Sequence, residues 1–269
     1  MTQNGFRADQ IDTSRPHPAR IYDYLLGGKD NYEVDREAGD RLAQVAPEAR
    51  PGVQANRAFM NRAVRYIVGE GVHQILDIGT GLPTSPNVHE VAAETAPDVR
   101  IAYVDNDPIV NTHANILLNR SAATSIVLAD LREPEVILEH PDVRRVIDFD
   151  QPVALLLVAI LHFIRDDEEP GRIVRTLCDA LPAGSFLALS HVTADYYATS
   201  GKAEATKAVY EQATATANLR TKTEVEAFFT GLDFVEPGLV QVPFWRPDGP
   251  VPAGSEGIGF YGGVARKRA

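Results

Sequence analysis

The sequence predicts an α/β fold that is built on a mostly parallel β-sheet. From residue 72 to residue 191, short apolar runs rich in Val, Ile and Leu alternate with helical stretches. This alternation is typical of βαβ units around a buried parallel sheet. The last two apolar runs are separated by residues 247–256, which leave no room for a crossover helix, so those two strands should be antiparallel. We therefore expect a mostly parallel sheet with a reversed last strand.

The N-terminal quarter of the chain has a different pattern. Residues 1–18 are polar and contain two prolines, and we expect them to form a flexible arm. Residues 19–71 form a helical lead-in, because their apolar residues recur at the spacing of one helix face. We predict one domain over residues 19–269, with a helical cap at 19–71 and a core at 72–269.

Seven strands are expected in this core, five in the parallel part and two in the C-terminal antiparallel pair. The intervening helices have recognisable first turns. Pro86 and Pro108 stand where a first-turn proline is tolerated, and TKTE at 221–224 is a capping box. The predicted strands are residues 74–78, 100–104, 125–129, 153–160, 185–191, 238–246 and 257–267.

Composition and charge restrict the class of partner. Of the 269 residues, 44% are hydrophobic and 23% are charged, as in a soluble protein with one substantial core. The net charge of −11 would repel the phosphate backbone of a nucleic acid unless the basic residues were strongly segregated. The longest apolar run, 153–161, is about half as long as a membrane helix. We expect a cytoplasmic protein with a small-molecule partner, with neither nucleic acid nor membrane as partner, and a homodimer is allowed.

Cysteine and histidine spacing excludes two further classes of site. Cys178 is the only cysteine, which excludes an intramolecular disulfide and a cysteine-rich zinc site and suits a reducing compartment. His89 and Glu90 begin H-E-V-A-A rather than H-E-x-x-H, so no zinc-binding helix is present. The sequence therefore predicts no metal site.

The segment ILDIGTGLPT at 75–84 is the first candidate ligand site, because a strand there enters a glycine turn and then a helix. Gly79 and Gly81 can adopt backbone conformations that other residues avoid, and they let a ligand lie against the backbone. A dinucleotide motif would have a third glycine where Thr84 stands. This departure argues against a nicotinamide oxidoreductase, which is kept as a third alternative. The turn alone is equally consistent with a purely structural role.

Two carboxylates follow the next two strands and strengthen the case for a ligand. Asp105 ends its strand 24 residues after Gly81, where a carboxylate can accept hydrogen bonds from both hydroxyls of a ribose. Asp130 ends the third strand and could accept from an adenine amino group. Each aspartate could instead cap the helix that follows it, and Asp107 is an alternative to Asp105 in register. Together they indicate adenosine recognition.

The order LDIGTG, VDNDP and ADLREP, with a reversed last strand, resembles the class I S-adenosylmethionine-dependent methyltransferases, whose fold is Rossmann-like. The segments at 19–42 and 56–66, DIGTGLPT and the ending FWRPDG are more specifically similar to a bacterial S-adenosyl methyltransferase family once known only as a domain of unknown function. The resemblance covers nearly the whole chain from residue 17. It implies the fold and S-adenosyl-L-methionine as cofactor, and it supplies no substrate.

The resemblance also implies roles for individual residues. The methionine end of the cofactor needs charged and polar partners near Asp77, and the candidates are Arg57, Arg20, Asn31 and Tyr32. The glycine pair at 27–28 and the residues after it could fold over the site as a lid, or could be a plain turn between helices. The residues predicted to bind the cofactor are Asp77, Gly79, Gly81, Asp105, Asn106, Asp130, Leu131, Asn31 and Arg57.

The acceptor end is predicted from residues that follow the later strands. His162 or His191 could act as a general base, because the unperturbed pKa of histidine is near neutrality, although either could be a packed residue. Tyr196, Phe244 and Trp245 could line a pocket for the acceptor, or could pack at the sheet edge. We expect O- or N-methylation of a small or medium organic acceptor. The alternative is a cofactor-binding regulatory or partner protein without turnover.

Overall fold

The computed structural model describes residues 12–118, 122–196 and 201–268. Within them the chain forms one mixed sheet of eight strands in the order β3-β2-β1-β4-β5-β8-β6, and β7 pairs with β8. The pairs from β3 to β5 are parallel, whereas β8 is antiparallel to its neighbours β5, β6 and β7. The strands are β1 (Gln74–Ile78), β2 (Arg100–Asp105), β3 (Thr124–Leu128), β4 (Ala154–Val158), β5 (Phe186–Val192), β6 (Leu232–Phe234), β7 (Val240–Gln241) and β8 (Phe260–Lys267).

The predicted fold class is confirmed, and all five parallel strands lie within two residues of their predicted bounds. The C-terminal region differs in detail. Only Val240–Gln241 of the predicted strand 238–246 is extended, because the chain turns at Val242–Phe244 and buries Trp245. The additional strand β6 is three residues long and largely exposed, so it has no apolar run that would predict it. Seven predicted strands thus become eight.

Helices cover both faces of the sheet. One face is covered by α3 and α4, and a cluster that includes Phe59, Ile67 and Trp245 packs against strand residues such as Leu156. The other face is covered by α6, α7, α8 and α10 through a second cluster. The helices are α1 (Pro18–Leu26), α2 (Glu33–Val45), α3 (Ala49–Gly69), α4 (Val88–Ala93), α5 (Pro108–Leu118), α6 (Pro134–Glu139), α7 (Pro141–Val146), α8 (Pro170–Asp179), α9 (Lys202–Glu211) and α10 (Lys222–Glu226).

A separate cap consists of α1, α2 and α9. Their buried contacts include Ile21, Leu25 and Leu42 from the N-terminal helices and Val209 from α9. α9 joins this cluster from the far end of the sequence, and α3 contributes Val53 to it while the rest of α3 packs on the sheet. Apolar periodicity predicts that a helix has a buried face, but it does not indicate which partner covers that face.

The described part of the predicted arm is attached to the cap. The guanidinium of Arg15 donates a hydrogen bond to the carbonyl of Ala213 (2.6 Å), and the Thr214 N–H donates to the carbonyl of Pro16 (3.0 Å). Residues 1–11 of the predicted arm lie outside the described residues. Within the part of the chain that the structure describes, no helix has the length and apolar character needed to cross a membrane.

Candidate functional site

A cavity of about 390 Å³ lies between the cap and the carboxyl ends of the parallel strands. Ligands of open α/β sheets bind at this edge, and the volume is in the range of small-molecule sites. Seven carboxylates and three arginines line the cavity, so its charge favours a cationic ligand. They are Asp12, Asp23, Glu48, Asp77, Asp105, Asp107, Asp130, Arg20, Arg57 and Arg132.

The glycine turn after β1 forms the floor of the cavity. Gly79 and Gly81 have φ angles of 76° and 69°, in the left-handed region that favours glycine. A Cβ atom at Gly79 would lie 2.6 Å from Ile160 Cγ1, whereas a Cβ atom at Gly81 would meet nothing within 4 Å. Gly79 is therefore required by packing as well as by backbone conformation, and Gly81 leaves open space in the cavity.

Asp105 and Asp107 have different positions at the end of β2. The carboxylate of Asp105 accepts hydrogen bonds from the N–H groups of Gly81 (2.8 Å) and Asp107 (2.9 Å), and it lines the cavity. Burial raises the pKa of Asp105 to about 6. Asp107 accepts from the Ile109 N–H (2.9 Å), so it caps α5. Its second oxygen lies 3.2 Å from His17 Nδ1, and that contact joins the cap to the sheet edge.

Asp130 is fixed beside Asp105 by its neighbours. Its carboxylate accepts from the Arg132 N–H (2.9 Å) and from the side-chain amide of Asn106 (3.0 Å). Leu131 is buried and lines the same part of the cavity. This arrangement presents carboxylate oxygens to hydroxyl and amino groups next to an apolar surface, which is the chemistry that an adenosine requires.

Asp77 and Arg57 line the cavity on the side of β1. Burial raises the pKa of Asp77 to about 7, the nearby Arg57 guanidinium lowers it, and Asp105 raises it further. One nitrogen of Arg57 donates to the carbonyls of Thr84 and Pro86 (2.8 Å to the latter). Its Nε atom is buried without a partner. A carboxylate that is half protonated near neutral pH and a partly free guanidinium together suit a zwitterionic ligand.

The raised pKa of Asp77 predicts a pH-dependent stability. The folded protein binds a proton at Asp77 that the unfolded chain releases above its ordinary pKa of 3.8. Folding stability therefore falls as pH rises from 4 to 7, and above pH 7 the buried charge is fully present. Asp77→Asn should raise the Tm by several degrees at pH 8, corresponding to about 2 kcal/mol, and should leave it nearly unchanged at pH 5. Thermal unfolding at both pH values tests this, and an equal effect at both would contradict it.

The end of β4 connects the glycine turn to His162. Ala159 has a φ angle of 55°, unusual for a residue other than glycine, and its N–H is fixed by Ser190 Oγ (3.0 Å). Such backbone conformations persist only where the surrounding structure enforces them, and they cluster at functional sites. After Ala159, the side chain of Ile160 packs against Gly79. His162 follows two residues later and forms part of the cavity wall.

The two predicted histidines have different surroundings. His162 is buried and lines the cavity, its Nδ1 atom has no partner, and burial lowers its pKa well below the ordinary value. His191 is fully buried and does not line the cavity. Its Nε2 atom accepts from Arg220 (2.9 Å), which requires that Nδ1 donates to the Val192 carbonyl, and burial lowers its pKa to about 3. The structure thus places His191 in the core beneath His162, away from the cavity.

Five other predicted site residues do not line the cavity, and they are Asn31, Tyr32, Tyr196, Phe244 and Trp245. Asn31 donates to Asp23 (2.8 Å) and to the Gly28 carbonyl (3.1 Å), so the loop after α1 is a turn between helices, not a lid over the cavity. Trp245 is fully buried against Phe59 and Tyr66, because the short β7 ends before it, and Phe244 precedes it in the same turn. Tyr196 is 41% exposed and packs beside Tyr261.

The cavity is also lined by residues that no sequence pattern marks as site residues. They come from the cap, from the short helical turn after β4 or from the N-terminal end of β8, and they are Tyr22, Phe163, Thr206, Tyr210 and Phe260. Thr206 and Tyr210 lie on α9, for which the sequence gives no signal of a site. Among the described residues, no group of three His, Cys, Asp or Glu side chains is arranged to hold a metal ion.

Comparison of the sequence with known protein families identifies one family. Residues 4–268 match the family model described as S-adenosyl methyltransferase. No functionally curated protein matches the sequence.

Two solved structures are similar to nearly the whole chain. A DUF574 family protein from Streptomyces avermitilis MA-4680 is 46% identical with a TM-score of 0.91, over 96% of this chain and 99% of that one. A candidate methyltransferase from Thermobifida fusca YX is 40% identical with a TM-score of 0.90, over 97% and 98%. The N-methyltransferase NodS from Bradyrhizobium japonicum WM9, in complex with S-adenosyl-L-homocysteine, is 14% identical with a TM-score of 0.50, over 93% and 100%, and shares the fold alone.

Proposed function

Because the chain belongs to the S-adenosyl methyltransferase family, we propose that it methylates an oxygen or nitrogen atom of a small organic acceptor in the cavity beneath the cap. The family makes it an S-adenosylmethionine-dependent methyltransferase and identifies the cofactor. The acceptor and the residues that contact each ligand are the proposed part. The observation that supports the site is the row of carboxylates at the ends of β1, β2 and β3, which open into the same cavity.

The residues around the cavity fit this cofactor. Seven carboxylates against three arginines suit a ligand with a net positive charge. We assign Asp105 to the ribose hydroxyls, because its carboxylate faces the cavity at the end of β2. Asp130 and Asn106 would recognise the adenine amino edge beside the apolar side chain of Leu131. The open space at Gly81 lets a ligand lie directly on the backbone.

Arg57 and Asp77 would hold the methionine end. The guanidinium of Arg57 has a buried nitrogen without a partner, and a ligand carboxylate would supply one. The carboxyl group of Asp77 would become fully ionised beside a ligand ammonium group, because an opposite charge favours the charged form. Cofactor affinity should therefore rise from pH 6 to pH 8, and Asp77→Asn should abolish most of this rise. Calorimetric titration at three pH values measures it, and a flat pH profile in the wild-type protein would contradict the assignment.

The chain contributes positioning and the exclusion of water. When bound, the cofactor supplies an electrophilic methyl group on a positively charged sulfur. The cap lies over the carboxyl edge, so the acceptor atom can be oriented in a partly enclosed cavity that limits its contact with bulk water, and orientation alone can account for a large part of the rate. His162, held neutral by burial, can accept a hydrogen bond from the acceptor and fix its reacting atom.

The first test is a calorimetric and thermal-shift titration with S-adenosylmethionine, S-adenosylhomocysteine and, as control, NADH. At a hundredfold excess over Kd, binding should stabilise the fold by about 2.7 kcal/mol, which is a Tm rise of several degrees. We expect both adenosyl compounds to bind and NADH to have no effect. If the folded protein binds neither adenosyl compound, the proposed site is wrong. Methyl transfer to a panel of acceptors then separates turnover from binding alone.

A further inference from the structure

Five residues with ring side chains line one part of the cavity, which we call the aromatic chamber. They are Tyr22, His162, Phe163, Tyr210 and Phe260. The ring centroid of His162 lies 4.3 Å from that of Phe163 and 6.2 Å from that of Phe260. Phe163 in turn lies 5.4 Å from Tyr210. Aromatic rings at these separations form a surface on which another ring can stack or pack edge to face.

The chamber is rigid on both sides. The hydroxyl of Tyr22 accepts from the Asn56 amide (2.9 Å) and donates to the Val53 carbonyl (3.1 Å), which fixes it to α3. On the sheet side, Arg220 donates to the carbonyls of Leu161 (3.0 Å) and Ile164 (2.8 Å), on either side of His162 and Phe163. The chamber is therefore preformed, which reduces the entropy that a ligand loses on binding.

Besides atoms of the charged residues Arg20, Arg57 and Asp107, two buried polar atoms on the cavity wall lack hydrogen-bond partners. They are His162 Nδ1 and Thr206 Oγ1, on residues that are 5% and 7% exposed. Both residues line the cavity, His162 from the sheet edge and Thr206 from α9. Buried polar groups are nearly always hydrogen-bonded, so these two atoms indicate a ligand that supplies the missing partners.

The chamber has no net charge to offer a ligand. None of its five side chains is an acid, a lysine or an arginine, and burial keeps His162 in its neutral form. The guanidinium of Arg220 lies behind His191 and is paired with Asp166 (2.7 Å), so it is not available to an anion in the cavity. An ionised acceptor group would therefore be desolvated without a partner in this chamber.

We propose that the aromatic chamber binds the methyl acceptor, and that this acceptor is an uncharged aromatic molecule whose phenol-type hydroxyl group donates a hydrogen bond to His162. A hydroxyl group can donate to His162 and also accept from Thr206, which a carboxylate or an ammonium group cannot do. This inference rests on the proposed function, because it assigns the acceptor of the same cavity.

The test uses the full chain saturated with S-adenosylhomocysteine and four probes that share one ring system. They are 2-naphthol, its methyl ether 2-methoxynaphthalene, the anion 2-naphthoate and the cation 2-naphthylmethylammonium. Calorimetry should show that 2-naphthol binds at least about 10-fold more tightly than each of the others. In nitrogen-15 NMR spectra, the ring-nitrogen signals of His162 should move when 2-naphthol is added and stay in place when the ether is added.

Two variants and a control separate recognition from folding. His162→Phe should bind 2-naphthol and its ether equally, because the hydroxyl loses its partner while the ring surface remains. Phe163→Leu should weaken both probes by a similar factor of about 10. His73→Phe, at an exposed position outside the cavity, should behave as the wild type. Each variant must show cooperative thermal unfolding, and a His162→Phe protein that folds and keeps the naphthol preference would overturn the inference.

The outcomes also separate the two proposals. If S-adenosylhomocysteine binds and 2-naphthol shows no preference over its ether, the acceptor inference is overturned and the proposed function stands. If the anion or the cation binds most tightly, the chamber recognises a different chemical class and the inference is again overturned. If S-adenosylhomocysteine does not bind, the proposed function fails and the inference fails with it.

Discussion

Asp105→Ala is expected to weaken the binding of S-adenosylhomocysteine by at least about 100-fold, which corresponds to roughly 2.7 kcal/mol. The carboxylate faces the cavity and would accept from the ribose hydroxyls, and hydrogen bonds to a charged group contribute about 1.5–3 kcal/mol each. The loss in free energy of unfolding should be smaller than the loss in free energy of binding, because burial raises the pKa of Asp105 and its charge is costly to bury. Calorimetric titration of the variant measures the loss.

Asp107→Ala is the matched control for this prediction. Asp107 caps α5 and contacts His17 and Arg20, so its removal should cost about 1 kcal/mol of stability, the usual value of an N-cap. Its effect on the Kd of S-adenosylhomocysteine should be less than about 10-fold. If Asp107→Ala weakens binding more than Asp105→Ala does, the two roles must be exchanged.

Gly79→Ala is expected to destabilise the fold by about 3 kcal/mol and to lower the Tm by roughly 10 °C. An L residue in the left-handed conformation costs about 1–2 kcal/mol, and inserting a methyl group into a packed position typically costs about 1–3 kcal/mol. Both costs apply here, because the new Cβ would lie 2.6 Å from Ile160 Cγ1. Chemical denaturation of the cofactor-free protein measures the change in the free energy of unfolding.

Two comparisons identify the cause of that effect. Gly81→Ala should cost only the conformational part, about 1–2 kcal/mol, because nothing lies within 4 Å of its Cβ position. The double variant Gly79→Ala with Ile160→Ala should lose less free energy of unfolding than the two single variants lose together, because the second change removes the contact. Strict additivity would show that the contact between positions 79 and 160 is not the source of the destabilisation.

The parallel part of the sheet was predictable because its information is local. Each strand is a short run of buried β-branched and aliphatic residues, and parallel strands that alternate with helices must place their carboxyl ends at one edge. The carboxylates that we propose to bind the cofactor follow from the same rule, since Asp77, Asp105 and Asp130 each stand at or near the end of such a strand. The structure brings these three residues into one cavity together with Gly79 and Gly81.

The positions of the residues that follow the later strands were not predictable in the same way. A residue at the end of a strand can face the cavity or the core. The local sequence around His162 and around His191 does not indicate which of the two histidines faces the cavity. The buried Arg220 donates a hydrogen bond to His191, which lies 29 residues away in the sequence. Trp245 packs in the core against Phe59 on α3. Long-range pairs of this kind leave no periodic signal in either of the two segments.

The sequence by itself therefore determined the fold class, the sheet edge that borders the cavity and the aspartates at the ends of its first three strands, because hydrophobic periodicity and the geometry of parallel strands are local rules. Only the tertiary structure decided the composition of the cap and of the aromatic chamber. Tyr22 and Tyr210 lie on helices that are far apart in sequence, and both line the chamber because α1 and α9 join the same apolar cluster around α2. Which helices pack together depends on the complementary shapes of their side chains, and the apolar pattern of a single helix does not indicate it.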